Sequence, residues 1–121
     1  MSIKWLAQAK EASFDAALSF LILEVGHENA AKLVEKLKKA KIECFAAKDI
    51  LRAAGVQALP RNVEHVQTNL AKMQGGQEIG PVLLCRVKDR PLIIADGMHR
   101  VSAAWYLDEN TIVNALVAEM E

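Results

Sequence analysis

Aromatic residues make up only 5% of the 121 positions, and an excess charge of either sign is missing, because 15 lysines and arginines balance 15 aspartates and glutamates. Neutrality removes the long-range field that would gather nucleic acid or an anionic membrane, so a charged partner must be met by a local patch. The shortage of aromatics argues against a stacking platform for single-stranded nucleic acid. Cysteine is nearly absent: Cys44 and Cys85 stand far apart in apolar contexts. They lack the spacing of a zinc or redox pair and read as buried, reduced thiols. The three histidines, His27, His65 and His99, are too scattered for a zinc ligand set, and no metal site is expected from them. His27 reads as a helix-end residue.

Long apolar runs are also missing. The longest, Ala16 to Val25, is interrupted by Ser19 and Glu24 and is too short to cross a bilayer. The opening ten residues lack the apolar core and small-residue cleavage site of a signal peptide. These features predict no membrane partner and a cytoplasmic location. What is present in quantity is apolar residue, 52% of the chain, enough for a core without disulfide or metal staples. One domain over residues 1–121 is expected.

Along the chain the periodicity changes once. Trp5 to Val25 reads as helix, with Phe14, Leu18, Leu21, Ile22 and Val25 forming an apolar stripe, Ser13 as a candidate cap and Gly26 as the stop. The stripe suits a core, with a homodimer interface as the competing use. Glu28 to Lys41 follows as a second helix, with Ala31, Leu33, Val34 and Leu37 inward. Its lysines, 32, 36, 38, 39 and 41, alternate with glutamates, so a solvated face competes with a nucleic-acid strip. Ile42 to Phe45 suits a short strand, Ala47 to Ala54 a helix stopped by left-handed Gly55, and Asn62 to Met73 a helix broken by Gly75-Gly76. From there Pro81 to Val87 and Pro91 to Ala95 read as a β-hairpin, Met98 to Leu107 as helix and Thr111 to Ala118 as a closing strand. The class expected is α+β: a helical part over 1–58 packed on a mixed core over 59–121.

The chemistry concentrates where the strand Pro91 to Ala95 runs through Asp96-Gly97 into the helix that starts at Met98. Free amides at the head of a helix, together with its dipole, attract an anion, and glycine lets a phosphate come close to the backbone. Arg100 stands in the first turn, where its forked guanidinium can hold phosphate oxygens.

Asp96-Gly97-Met98-His99-Arg100, with Ala103 beyond, resembles the Gly-x-x-Arg-x-x-Ala box of ParB-type partition proteins. It is also similar to the Gly-Cys-His-Arg box of sulfiredoxins and the Asp-Gly-x-His-Arg box of free-serine kinases. Upstream, His65-Val66-Gln67-Thr68 with Lys72-Met73, then Ile79-Gly80-Pro81-Val82-Leu83, resembles the Lys-Val-Gln-Ser helix and Pro-Ile strand of sulfiredoxins and their ParB counterparts. The resemblance covers about Leu59 to Val117, and small bacterial ParB-like nucleases carry comparable helical leaders. It implies a ParB/sulfiredoxin-like small mixed sheet with packed helices, and a ligand such as ATP, ADP or CTP. Gly97, Met98, His99 and Arg100 would wrap the phosphates, while His65, Thr68 and Lys72 would supply the other wall. Residues 65, 68 and 72 do share one helical face.

Met98 stands where sulfiredoxins carry cysteine, and a thioether cannot attack phosphate, so sulfinic-acid repair is not expected. The length leaves no room for a separate DNA-binding helix-turn-helix domain, although nucleic acid stays open as a partner. Three uses follow: a nucleotide-binding domain, a nuclease or small-molecule phosphotransferase with Asp96, His99 and Arg100 as catalytic groups, or a protein-interaction module with a vestigial site. Each residue also has a plainer use. Asp96 can act as a helix cap, general base or magnesium ligand, and Arg100 as an ion-pair partner of Asp96 or Glu109. His65, Thr68 and Lys72 can be ordinary surface residues.

Overall fold

A strand that reads as an unbroken apolar run must be covered on both faces. In the computed structural model, which describes residues 2–121, the first four residues of the strand Val82–Val87 are such a run, which ends at the exposed Arg86. Val82, Leu83, Leu84 and Cys85 are all buried. Because side chains alternate across a strand, Val82 and Leu84 join one core while Leu83 and Cys85 join another. The Cys85 thiol sits so deep that burial pushes its pKa up to about 12, which makes it an inert packing group.

In chain order the described elements are β1 Lys4–Trp5, α1 Glu11–Val25, α2 His27–Lys39, β2 Glu43–Ala46, α3 Ala47–Ala54, α4 Glu64–Gln74, β3 Glu78–Ile79, β4 Val82–Val87, β5 Ile93–Asp96, α5 Met98–Leu107 and β6 Ile112–Met120. The class is α+β. The main sheet has the order β2-β6-β4-β5, with β6 parallel to β4 and the outer strands antiparallel to their neighbours. The α1–α2 pair covers the face that carries Leu83, Cys85, Ile93, Ala95, Leu116 and Ala118. Helices α3, α4 and α5 cover the other, with Val82, Leu84, Val113 and Ala115. Among the described residues no helix is long and apolar enough to cross a membrane.

The expected hairpin is present as β4 and β5, and Gly55 closes α3 in the left-handed conformation at φ +70°. Other expectations are corrected. The first helix begins at Glu11, not Trp5, because Lys4–Trp5 forms a parallel pair with β3 and Trp5 packs on the α3–α5 core. Ser13 lies inside the first turn, and its amide reaches the Lys10 carbonyl at 3.0 Å. In α2 the inward alanine is Ala30, which shares the three- and four-residue spacing of Leu33, Val34 and Leu37, whereas Ala31 is exposed. Cys44 is exposed rather than buried, since it lies on the edge strand β2 with its thiol 3.3 Å from Asn114 Oδ1. The short strand expected at Ile42 to Phe45 is present as β2, Glu43–Ala46, and it supplies one edge of the main sheet.

Candidate functional site

The strand-to-helix turn between β5 and α5 is held from behind by β4. Gly97 has φ +111°, and a Cβ placed on it would meet Val82 Cγ1 at 2.6 Å and Val82 Cβ at 2.8 Å. Glycine is required here first by the close approach of β4 and by a backbone conformation that L side chains rarely adopt. The Met98 side chain packs partly against the α3–α5 core, which leaves its amide as the group free to act.

Arg100 completes the turn from within. Its Nη1 donates to the Gly80 carbonyl at 2.8 Å and the Pro81 carbonyl at 3.0 Å, and Nη2 donates to Asp96 Oδ2 at 2.6 Å. The two side chains are only 14% and 24% exposed. Three of the five guanidinium N–H groups are thus committed to the protein, leaving Nε and one Nη2 hydrogen for any ligand. Burial lowers the Arg100 pKa, and the Asp96 carboxylate opposes that shift by charge and hydrogen bond. Of the ion-pair partners weighed from sequence, Asp96 is the one used, and the guanidinium also ties α5 to the bend that leads into β4.

Of the uses open to Asp96, the ion pair with Arg100 is taken and the helix cap is not. Gly97 occupies the cap position and no side chain caps the helix. The amides of Met98, His99 and Arg100 therefore have neither an intrahelical acceptor nor a capping oxygen, and they carry the positive end of the helix dipole.

His99 and His65 meet edge to face, with ring centroids 5.1 Å apart. Burial lowers the His99 pKa, as do the neighbouring His65 and Arg100, while Asp96 opposes them. The imidazole is accordingly neutral at neutral pH. Of the residues assigned to the second wall, His65 reaches the turn. The Thr68 hydroxyl donates to the Glu64 carbonyl at 3.0 Å within α4, and Thr68 and Lys72 are exposed. Among the described residues no hydrogen bond or ion pair links Thr68 or Lys72 to the turn, and no group of three or more His, Cys, Asp or Glu side chains is placed to hold a metal ion.

The uncapped turn opens into a cleft of about 600 Å³ that includes Asp96, Gly97, Met98 and His99. Its other walls are Ala16, Phe20 and Glu24 of α1 and Ala54 and Val56 at the end of α3. Sequence reading did not assign these residues to the site. The signal was a second row on α1, residues 16, 20 and 24 at four-residue steps, beside the core row of Phe14, Ala17 and Leu21. Another hollow, about 720 Å³, lies between α3 and the far half of α5, with Lys48, Arg52, Trp105 and Tyr106 on its walls. It adjoins the carbonyl end of α5, where the helix dipole disfavours an anion. Comparison with protein-family models, curated proteins and solved structures finds no match to any of them.

Proposed function

We propose that this chain is a ParB/sulfiredoxin-like nucleotide-binding domain that holds the phosphates of ATP, ADP or CTP at the head of α5. The observation that carries the reading is the uncapped first turn of α5 opening into a cleft. A phosphate oxygen there would take the place of the missing capping side chain, with the amides of Met98, His99 and Arg100 as donors. His65 stands beside His99 at the turn, while Thr68 and Lys72 lie farther along α4, outside the cleft lining. Magnesium would serve as counter-ion to the outer phosphates. Nucleoside triphosphates reside in the cytoplasm, the setting this function requires.

An enzymatic use of the same site, as phosphotransferase or nuclease, is favoured by one feature. His99 is neutral and borders the cleft, so it can accept a proton, whereas the Asp96 carboxylate is engaged by Arg100.

Calorimetric titration with ATP, ADP and CTP, with and without magnesium, tests the reading, and saturable binding of at least one nucleotide is expected. A docked phosphate favours the imidazolium form of His99, whose pKa burial and the neighbouring His65 lower in the free protein, so binding takes up a proton. Affinity then strengthens as pH falls from about 7.5 toward 6, and the heat varies with the ionisation enthalpy of the buffer. Phosphate itself titrates near pH 6, and His99→Gln separates the two sources. The variant is expected to lose the histidine share of proton uptake and to weaken binding about three- to tenfold at pH 6. No heat with any nucleotide, in protein shown to be folded by circular dichroism, would contradict the assignment.

A further inference from the structure

The cleft beside the turn has a floor and walls of different chemistry. Its lining includes every residue from Arg90 to His99 without a gap, whereas one face of a strand supplies only alternate residues. The floor is therefore the outer edge of β5, the last strand of the main sheet. An edge strand presents backbone N–H and C=O groups that lack a neighbour. The walls are apolar: Ala16 and Phe20 from α1 on one side, Ala54 and Val56 on the other. Phe20 is 41% and Val56 45% exposed, apolar surface that the fold leaves uncovered. At the far end Arg90 is engaged by the carboxylate and the carbonyl of Glu24, so its cation is already neutralised. An anion is favoured only at the α5 end.

A ligand matched to this cleft is flat and apolar on its faces, carries hydrogen-bonding groups on its rim, and ends in an anion. We infer that the base and sugar of the nucleotide lie along the edge of β5, with Phe20 as the stacking wall and the phosphates over Gly97–Arg100. This inference rests on the phosphate-binding reading above and adds the organic half of the ligand. The cleft volume of about 600 Å³ falls within the roughly 300–1,000 Å³ of small-molecule sites. From Ile93 to Gly97 the chain advances about 13 Å at the rise of a strand, room for a nucleoside beside the strand and its phosphates at the turn. Tripolyphosphate alone would leave Phe20 and Val56 uncovered. On this account α1, which lies outside the stretch of family resemblance, is the wall that selects the ligand.

Calorimetry with ATP, CTP and inorganic tripolyphosphate on wild type, Phe20→Ser and Val56→Ser tests the inference. In wild type, ATP or CTP is expected to bind at least about tenfold more tightly than tripolyphosphate, the scale of one base stacked on an aromatic ring. Both substitutions should reduce that advantage about tenfold and leave tripolyphosphate binding unchanged, which also shows that the variants are folded. Equal affinity for all three ligands in wild type overturns the cleft assignment while the phosphate site stands, and would favour an extended peptide strand as the occupant of the β5 edge. Equal weakening of nucleotide and tripolyphosphate by both substitutions overturns it as well. If none of the three binds, the phosphate reading fails and this inference falls with it.

Discussion

Gly97→Ala is expected to cost about 3–4 kcal/mol of folding free energy, the sum of a strained left-handed backbone and an overpacked contact, each worth roughly 1–3 kcal/mol. The basis is geometric. At φ +111° an added methyl would stand 2.6 Å from Val82 Cγ1, on the strand at the centre of the sheet, where little can shift. Urea unfolding followed by circular dichroism reads the loss, which for a domain of this size lowers the thermal midpoint by roughly 10 °C or more. The double variant Gly97→Ala/Val82→Ala should cost at least about 1 kcal/mol less than the sum of the single changes, because truncating Val82 opens the space the methyl needs. A Gly97→Ala protein with unchanged stability would mean that β4 does not back the turn.

Arg100→Met is expected to destabilise the fold by about 3 kcal/mol, although methionine keeps most of the stem's packing. It strands the Asp96 carboxylate, only 24% exposed, and removes the donor that serves the Gly80 and Pro81 carbonyls. Arg100→Lys should recover only part of the loss, because one compact ammonium cannot reproduce a planar fork that spans three oxygens. Asp96→Asn combined with Arg100→Met should be less damaging than additivity requires, by about 1 kcal/mol or more, since the carboxylate is then no longer left without its cation. These measurements separate a structural guanidinium from one that serves only a ligand. If Arg100→Met unfolds at the wild-type urea concentration, the three bonds carry no stability.

Much of the secondary structure was legible because strong local rules agreed. Two β-rich runs, Pro81 to Val87 and Pro91 to Ala95, flank a short polar segment, and the hairpin they imply forms as β4 and β5. Gly55 marks the end of α3 for the reason glycine usually does. What stayed hidden depends on partners distant in sequence. Lys4–Trp5 is strand only because Glu78–Ile79 lies beside it, and the parallel pairing of β4 with β6 joins segments that no local pattern connects. Cys44 looked buried because its context is apolar, but on a sheet edge one residue of register decides which face a side chain takes.

The site divides in the same way. The Asp96 to Arg100 junction was visible from the switch of strand to helix, and so was the positive end of α5. The choice among uses of Asp96 and Arg100 was not, because a cap and an (i, i+4) ion pair are equally compatible with the spacing and only the position of the Gly80 and Pro81 carbonyls favours the pair. The meeting of His65 with His99 needed α4 to pack beside α5. The cleft wall on α1 was masked by the stronger core row on the same helix, where Phe14 and Leu21 account for the apolar periodicity and leave Phe20 looking incidental.

Amide chemical shifts recorded during a titration of isotopically labelled protein with ATP, and again with CTP, test the role of the α5 head most directly. The largest shifts are expected at the backbone N–H groups of Gly97, Met98, His99 and Arg100, accompanied by the imidazole resonances of His65 and His99. A titration that saturates while those four amides stay in place, with the changes clustered on another surface, would contradict the account.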